Sequence, residues 1–402
     1  MRILASCQHY WPEPFNTSDV CEALVERGHE VTVITALPNT GMPDNDIPDE
    51  WRDPARRDEF HNGVRVLRAN LHPRRSGGLN RIQNYLTFWK NANAIARSLG
   101  DDYDVALGYQ FSPVMQADPA LVWARRNGRK ALLYSFDLWP ASLLAGGFKE
   151  SSLPFKWMRS VSKRIYSQAD RLAVTSPLFD KYFRDELGLD IPDSAYLPQY
   201  ADASFLEDAA PVTEGFDPAK TNFTFAGNVG YAQSVETIVE AAALLVGDDR
   251  IAFHVVGSGS TLAACEEEAD RLGATNLTFH GRRPVEEMPA YYAASDAMLL
   301  TFAPSPMADY TLPRKATTYL AAGKPVVAAL GGETERVLTD AGCGICCGIA
   351  DAEGLAHACA AFADLSVNER SRMGIAARNY YLAHFTKEKF LDTLERLLSE
   401  LC

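Results

Sequence analysis

What most constrains this chain is a strand–helix–strand unit that occurs twice. A short apolar run, Ile3 to Ala5, leads through a polar loop to an amphipathic segment with Val20, Cys21, Leu24 and Val25 at helical spacing. Gly28 ends that segment, and Val31, Val33 and Ile34 follow as a second strand. Parallel strands need a crossover, and a helical crossover builds a sheet covered by helices on both faces. The pattern restarts after the Pro-, Asp- and Ala-rich stretch PQYADASFLEDAAPVTEGFDPAKT (198–221). A strand at 222–226, a helix near 234–246 and a strand at 251–256 repeat the opening unit. Further alternation follows: strand 277–280, helix 285–294, strand 297–302, helix 314–322, strand 325–329 and helix 333–340. The expected fold class is α/β, with two doubly wound Rossmann-like domains, 1–200 and 222–380, facing across a cleft and joined by a linker at 201–221. In such sheets ligands bind beyond the carboxyl ends of the strands.

Charge narrows the function classes. The chain has 402 residues and a net charge of −13, which argues against nucleic acid as a partner. The first 200 residues balance 24 basic against 24 acidic residues, so the whole imbalance falls after Tyr200. Eight scattered cysteines give no disulfide framework and fit a reducing, cytoplasmic compartment. Residues 1–7 have too short an apolar run for a signal peptide, and no stretch approaches the ~20 apolar residues that span a bilayer.

Three loops follow strands and precede helices, where unpaired backbone N–H groups and the helix dipole favour anions. They are Gly227-Asn228-Val229-Gly230, ahead of a helix that Ser234 is placed to cap; Gly257-Ser258-Gly259; and Pro313-Arg314-Lys315. Only the third offers cations, an Arg fork beside a compact Lys, which suits a diphosphate that gains charge as it leaves. Each loop is also readable as a tight turn or a solvated basic pair. Asp137, in FDLWP after the apolar run Ala131 to Leu133, falls at a strand's carboxyl end, on the side where such sheets take ligands; it is also readable as a cap of the next loop, and the resemblance drawn below implies that it orients or deprotonates an acceptor hydroxyl. Glu13, in the first loop, is a second carboxylate there, for which the same resemblance implies sugar or acceptor contact. Cys343, Cys346 and Cys347 in AGCGICCG read as small strand residues, since no second ligand pair stands at zinc spacing.

The second half resembles the nucleotide-sugar-binding domain of retaining glycosyltransferases of family four, which have the two-domain GT-B fold. The resemblance runs through TFAGNVGYAQSVETIVEAAALL (224–245), FHVVGSGS (253–260), LTFHGRRPVEEMPAYYAASDAMLL (277–300), LPRKATTYLAAGKPVVAAL (312–330) and DAEGLAHAC (351–359). The first half is similar at HYWPEP (9–14), ERGHEVTVITALPN (26–39), SFDLWPASLLAGG (135–147) and ADRLAVTSPLF (169–179). The chain looks like the subgroup that builds bacterial surface polysaccharides on lipid-linked acceptors. AHFTKEKFLDTLERLL (383–398) resembles the family's final helix, so 381–402 is expected to cross back to the first domain.

Position by position, the resemblance implies that Gly227, Asn228 and Gly257 approach the donor diphosphate and that Gly281, Arg282 and Arg283 lie against the base. Lys315 and Arg314, after Pro313, would neutralise the phosphates. Such enzymes use neither metal nor cofactor, and the nucleotide-sugar is a substrate. The chain departs from the family where members carry two donor-binding glutamates, since Tyr310 and Thr318 stand at those positions; Asp309 is the nearest remaining carboxylate. Asn16 lies in a first loop that is glycine-rich in many members, and here Asn16, Thr17 and Ser18 are placed to cap the helix. Phe136 stands where a histidine often precedes Asp137, and Asn228 and Gln233 replace an Arg and Lys pair.

Residues 64–100 carry seven cations and no acid. From Leu79 to Leu99 the residues Leu79, Ile82, Tyr85, Leu86, Phe88, Trp89, Ala92, Ile95, Ala96 and Leu99 fall on one broad helical face. KWMRSVSKRIY (156–166) is a second acid-free, aromatic-bearing segment. Both fit either packing on the domain core or the headgroup region of an anionic membrane, and the expectation is a peripheral enzyme on the inner face of the plasma membrane. The combined reading is a retaining transferase moving a sugar from a nucleotide-diphosphate donor, UDP-sugar favoured, to a hydroxyl of a lipid-linked glycan. Its rival is a degenerate relative that serves as a non-catalytic binding partner. A dinucleotide enzyme using the GSG loop would need an acid at the end of the next strand, where Phe279 and His280 stand.

Overall fold

The computed structural model describes residues 1–75, 77–305 and 307–402, with 145 and 146 described by backbone alone. It divides into two compact units, Met1–Leu197 with Leu391–Cys402, and Pro198–Phe390.

The first unit is built on a sheet in the order β3-β4-β2-β1-β5-β6-β7-β8. Its strands are β1 (Arg2–Ser6), β2 (Glu30–Ala36), β3 (Asp58–His61), β4 (Val64–Ala69), β5 (Val105–Gln110), β6 (Ala131–Ser135), β7 (Arg171–Val174) and β8 (Ala195–Tyr196). Among the described residues only the β3–β4 pair of this sheet is antiparallel. The crossover helices are α1 (Thr17–Glu26), α2 (Gly78–Ser98), α3 (Asp118–Asn127) and α4 (Leu153–Tyr166), followed by the short α5 (Phe179–Lys181). Every residue of β5 is buried, as expected of a parallel strand covered on both faces. Glu395, in the C-terminal segment of this unit, hydrogen-bonds with His29 at 2.8 Å and accepts from Arg27 at 3.0 Å.

The second unit has a parallel sheet in the order β11-β10-β9-β12-β13-β14. The strands are β9 (Thr221–Ala226), β10 (Ile251–Val256), β11 (Leu277–Gly281), β12 (Ala297–Thr301), β13 (Val326–Ala329) and β14 (Gly344–Cys347). The helices are α6 (Val235–Leu244), α7 (Leu262–Leu272), α8 (Met288–Ala294), α9 (Arg314–Ala321), α10 (Gly332–Asp340), α11 (Ala352–Asp364), α12 (Val367–His384) and α13 (Lys387–Ser399), the last running on into the first unit. The core joins Phe223, Phe225 and Phe253 to Ile238, Leu355 and Phe362. The strand order reverses direction at β9, so the loops after β9 and β12 open on the side where doubly wound sheets take ligands. Arg378 of α12 donates to the carbonyls of Ala321, Phe205 and Leu206, occupying the C-terminal end of α9.

Three local expectations are corrected. Residues 201–221 are no free linker. Phe205 packs on Tyr292 at 5.0 Å and Phe216 stacks on His254 at 3.8 Å, so two aromatic anchors bind a stretch of turn-like composition into the second unit. The closing segment is not one helix from 381. It breaks at Phe385 and Thr386, where the Thr386 hydroxyl accepts the Lys389 N–H at 3.3 Å and starts a new helix. The expected side-chain caps also fail. Ser234 has a left-handed backbone, φ 45°, and its hydroxyl bonds Thr237 Oγ1, while Asn16 Oδ1 accepts from Tyr109.

Phe223 is fully buried against Phe253 and Phe362. Phe223→Ala is expected to cost about 3–5 kcal/mol, read as a lower urea midpoint for the second unit.

Candidate functional site

Lys315 opens α9 beyond the carboxyl end of β9. Its ammonium nitrogen is buried, lies 3.9 Å from the centroid of the Phe225 ring and has no hydrogen-bond partner among the described residues. Burial lowers its pKa to about 7, because no carboxylate offsets the lost hydration. Gly227 makes this placement available. A side chain there would start 2.5 Å from Lys315 Cε, and the backbone φ of 138° suits glycine. Tyr319, one helical turn after Lys315, fastens α9 to the sheet: its hydroxyl is 3.3 Å from both the N–H and the carbonyl of Ala226. Sequence reading missed Tyr319, although the i, i+4 spacing from Lys315 puts both residues on one helix face.

The glycine loops divide their work differently from expectation. Gly257 and Gly259 serve packing, since side chains there would begin 1.8 Å from the Gly227 carbonyl and 2.1 Å from that of Val229. The N–H groups of Gly227, Val229 and Gly257 donate to the carbonyls of Val256, Ser258 and Gly281, at 2.8, 3.0 and 2.8 Å. Those three amides are committed to the fold. Asn228 Nδ2 donates to Gln233 Oε1 at 3.0 Å, so these two residues hold one another across the loop. Gly281, at φ 67°, turns the chain after β11 and leaves Arg282 and Arg283 exposed; Arg283 Nε reaches the His280 carbonyl at 3.1 Å.

Pro313 is the N-cap residue of α9 and Arg314 follows it. Arg314 is not an unencumbered cation, because its Nη2 lies 3.1 Å from both carboxylate oxygens of Asp202. Thr318 is buried and its hydroxyl donates to the Arg314 carbonyl at 2.9 Å, inside its own helix. Asp309 is exposed, with its carbonyl accepting the Glu333 N–H at 2.9 Å, and the neighbouring Tyr310 is half-buried.

In the first unit, Asp137 follows β6 and accepts from Ser112 Oγ at 2.5 Å, and Trp139 Nε1 donates to that hydroxyl at 3.0 Å. Burial raises the Asp137 pKa, opposed by the Ser112 bond. Phe136 is buried against Phe111 at 4.4 Å, which makes the neighbourhood aromatic where a histidine was the family expectation. Glu13 is a correction. It is buried, one carboxylate oxygen bonds His9 Nδ1 at 2.7 Å, and the other accepts the N–H groups of Asn39 and Thr40 at 2.7 and 2.6 Å. With both oxygens engaged, it ties the loop after β1 to the loop after β2 and is not available as an acceptor contact. Cys343 is buried before β14, and Cys346 and Cys347 lie on that strand; burial pushes the first two thiols to about 12 and the third to about 11.

Both units match known families. Residues 16–198 match the family described as glycosyl transferase 4-like domain, and residues 220–364 match glycosyl transferases group 1. Both parts of the chain thus match glycosyltransferase domains. It is 29% identical over 285 residues to WbjE of Pseudomonas aeruginosa, which carries the name of a glycosyltransferase, with 68% of this chain and 70% of that protein covered. It is 25% identical over 361 residues to WcaI of Escherichia coli (strain K12), which carries the name of a colanic acid biosynthesis glycosyl transferase, with 83% and 84% covered. Among solved structures, sucrose-phosphate synthase from Thermosynechococcus elongatus aligns with a TM-score of 0.75 at 18% identity, covering 100% of this chain and 98% of that one. HepE of Anabaena, in complex with UDP and glucose, aligns at 0.71 and 14% identity with both chains fully covered. WaaG, involved in lipopolysaccharide biosynthesis, aligns at 0.69 and 14% identity over 99% of each chain. The fold is GT-B.

The Glu13 network gives a separate test of what holds the loop after β1. Glu13→Ala strands the Asn39 and Thr40 amides and one nitrogen of His9, with an expected loss of about 3 kcal/mol. A thermal or urea transition within about 0.5 kcal/mol of wild type would show that water replaces the carboxylate.

Proposed function

We propose that this glycosyltransferase moves a sugar from a nucleoside diphosphate donor, UDP-sugar favoured, to a hydroxyl of a lipid-linked glycan, with retention at the anomeric carbon. The observation that carries the proposal is the buried, unpartnered ammonium of Lys315 beside the Gly227 loop at the start of α9. A buried cation without a counter-charge is costly, and a diphosphate supplies that charge. The name of WcaI supports polysaccharide synthesis as the setting, and the UDP bound to HepE supports the donor class.

In this reading the glycosidic C–O bond to the diphosphate breaks as charge develops on the leaving oxygen. Lys315 and the amides of the first α9 turn stabilise that charge, and Arg314 joins them by exchanging Asp202 for phosphate. The acceptor hydroxyl attacks from the face the diphosphate leaves, and Asp137 with Ser112 orients it. Arg282 and Arg283 flank the base, and Asp309 is the carboxylate offered to the ribose in place of the missing glutamates. Transfer then runs on cationic side chains and helix dipoles without a metal. The binding-only alternative draws on Thr318, whose hydroxyl is spent within its helix.

Calorimetric titration with UDP, GDP, ADP, CMP and dTDP in metal-free buffer tests the proposal. Saturable binding of one nucleotide is expected, weakened at least tenfold by Lys315→Met; no binding of any at millimolar concentration would favour the binding-only alternative. Acidity gives an independent check. Ligand-free Lys315 loses its proton near pH 7, whereas the diphosphate favours the charged form, so affinity is expected to fall by up to tenfold per unit as pH rises above about 7. Stability of the ligand-free protein moves the opposite way. Between about pH 7 and the unfolded lysine value of about 10.4 the unfolded chain binds the extra proton, so stability rises with pH in that window, and Lys315→Met removes that dependence.

A further inference from the structure

Three phenylalanines stand at the carboxyl ends of neighbouring strands of the first unit. Phe15 lies in the loop after β1, Phe111 follows β5 directly and Phe136 follows β6. These strands are adjacent and parallel, so the three positions share the edge where doubly wound sheets take ligands. Phe111 is the centre of the group, with its ring centroid 5.3 Å from that of Phe15 and 4.4 Å from that of Phe136. Phe136 is buried and held by Tyr109 and Tyr134 at 4.8 and 4.4 Å. Phe15 and Phe111 are half-buried, so part of each ring stays outward. His9, itself tied to Glu13, stacks on Phe15 at 4.3 Å and fixes that ring as well.

The polar groups around these rings are nearly all spent. The Tyr134 hydroxyl donates to the Leu197 carbonyl at 2.7 Å, and the Tyr109 hydroxyl donates to Asn16 Oδ1 at 3.3 Å. The Ser112 hydroxyl donates to Asp137 Oδ2 and accepts from Trp139 Nε1. What remains lies at the margin. Asp137 Oδ1 and Asn16 Nδ2 make no hydrogen bond among the described residues, and both residues are half-buried.

Aromatic faces with one free carboxylate oxygen and one free amide at their edge suit a sugar, whose C–H face packs on rings while a few hydroxyls meet the polar atoms. The supply here is unequal. A hydroxyl at Asp137 finds an acceptor, but the part of the sugar over Phe15 and Phe111 finds neither donor nor acceptor. A hydroxymethyl group there gives up its water without replacement, whereas a methyl group gives up none. We infer that the first unit binds its acceptor through a 6-deoxyhexose residue, with the methyl-bearing face on Phe15 and Phe111 and the attacking hydroxyl at Asp137. This names the acceptor class for the transfer proposed above and rests on that reading, in which Asp137 orients the hydroxyl.

Saturation-transfer NMR on the full chain tests the inference. The probes are methyl glycosides of glucose, galactose and mannose in the D and L series, each beside its 6-deoxy counterpart. At least one 6-deoxy glycoside is expected to bind roughly ten- to a hundredfold more tightly than its hydroxymethyl partner. Phe111→Ala is expected to weaken that binding by roughly tenfold. Phe136→His brings a ring N–H into the group and is expected to shrink the preference to about threefold or less. Phe111 is half-buried, so its variant is expected to fold, which circular dichroism checks; Phe15→Ala, also half-buried, repeats the test on the neighbouring ring. Equal affinity within every pair, no saturation of any glycoside, or a preference that survives both Phe111→Ala and Phe15→Ala overturns the inference. A 6-deoxy preference in a chain that binds no nucleotide would count against the transfer reading and leave the sugar site standing. Nucleotide binding with no 6-deoxy preference would do the reverse.

Discussion

A lysine ammonium packed on a phenyl ring, with no acceptor of its own, sets the terms for the second unit. Lys315 can lie there because Gly227 has no side chain, and it stays there because Tyr319 fastens the same helix to the end of β9. Gly257 and Gly259 then press their loop against the loop that Gly227 begins, closing off several backbone amides that loop geometry alone would offer to a phosphate. The cost of an uncompensated buried charge is borne by the sheet core beneath it, where Phe223, Phe253 and Phe362 pack together. The site is thus strained electrostatically and not conformationally.

The first unit handles polar burial in the reverse way. Glu13 is surrounded by donors from three directions, and Gln8, Asn84 and Asn39 extend the network by hydrogen bonds of 2.6 and 3.0 Å. Such a network fixes the loops after β1 and β2 relative to α2, and it leaves the aromatic pair Phe111 and Phe136 and the Asp137–Ser112 bond as the features at the ends of β5 and β6. One unit holds a charge in want of a partner, and the other surrounds Glu13 with donors to both of its oxygens.

Much of this was legible in the sequence. The alternation of apolar runs and amphipathic segments located the strands of the second unit to within a residue or two, because parallel strands buried on both faces leave unbroken apolar runs. The cationic opening of α9 was legible too, since Arg314 and Lys315 stand together in a loop-to-helix position. Partnership was less legible. Nothing in the local pattern tells that Arg314 meets Asp202, that Thr318 bonds its own helix, or that Glu13 faces inward, because each depends on a contact remote in sequence or on a side-chain rotamer. The stretch 201–221 misled for a related reason. Its composition is that of a connector, and two phenylalanines outweigh it by burial.

Arg378 also acts on the field of α9. Its guanidinium donates to the carbonyl of Ala321, the last residue of α9, while Lys315 sits in the first turn of the same helix. A cation at the negative end of a helix dipole offsets the field of that end, and the helix's exposed partial charge is then concentrated at the other. The eight residues of α9 therefore behave as a polarised element whose rear pole is neutralised from within the fold. Evolution has in this arrangement a means of adjusting the field at the front of the helix from a residue at its rear, without altering any residue of the first turn.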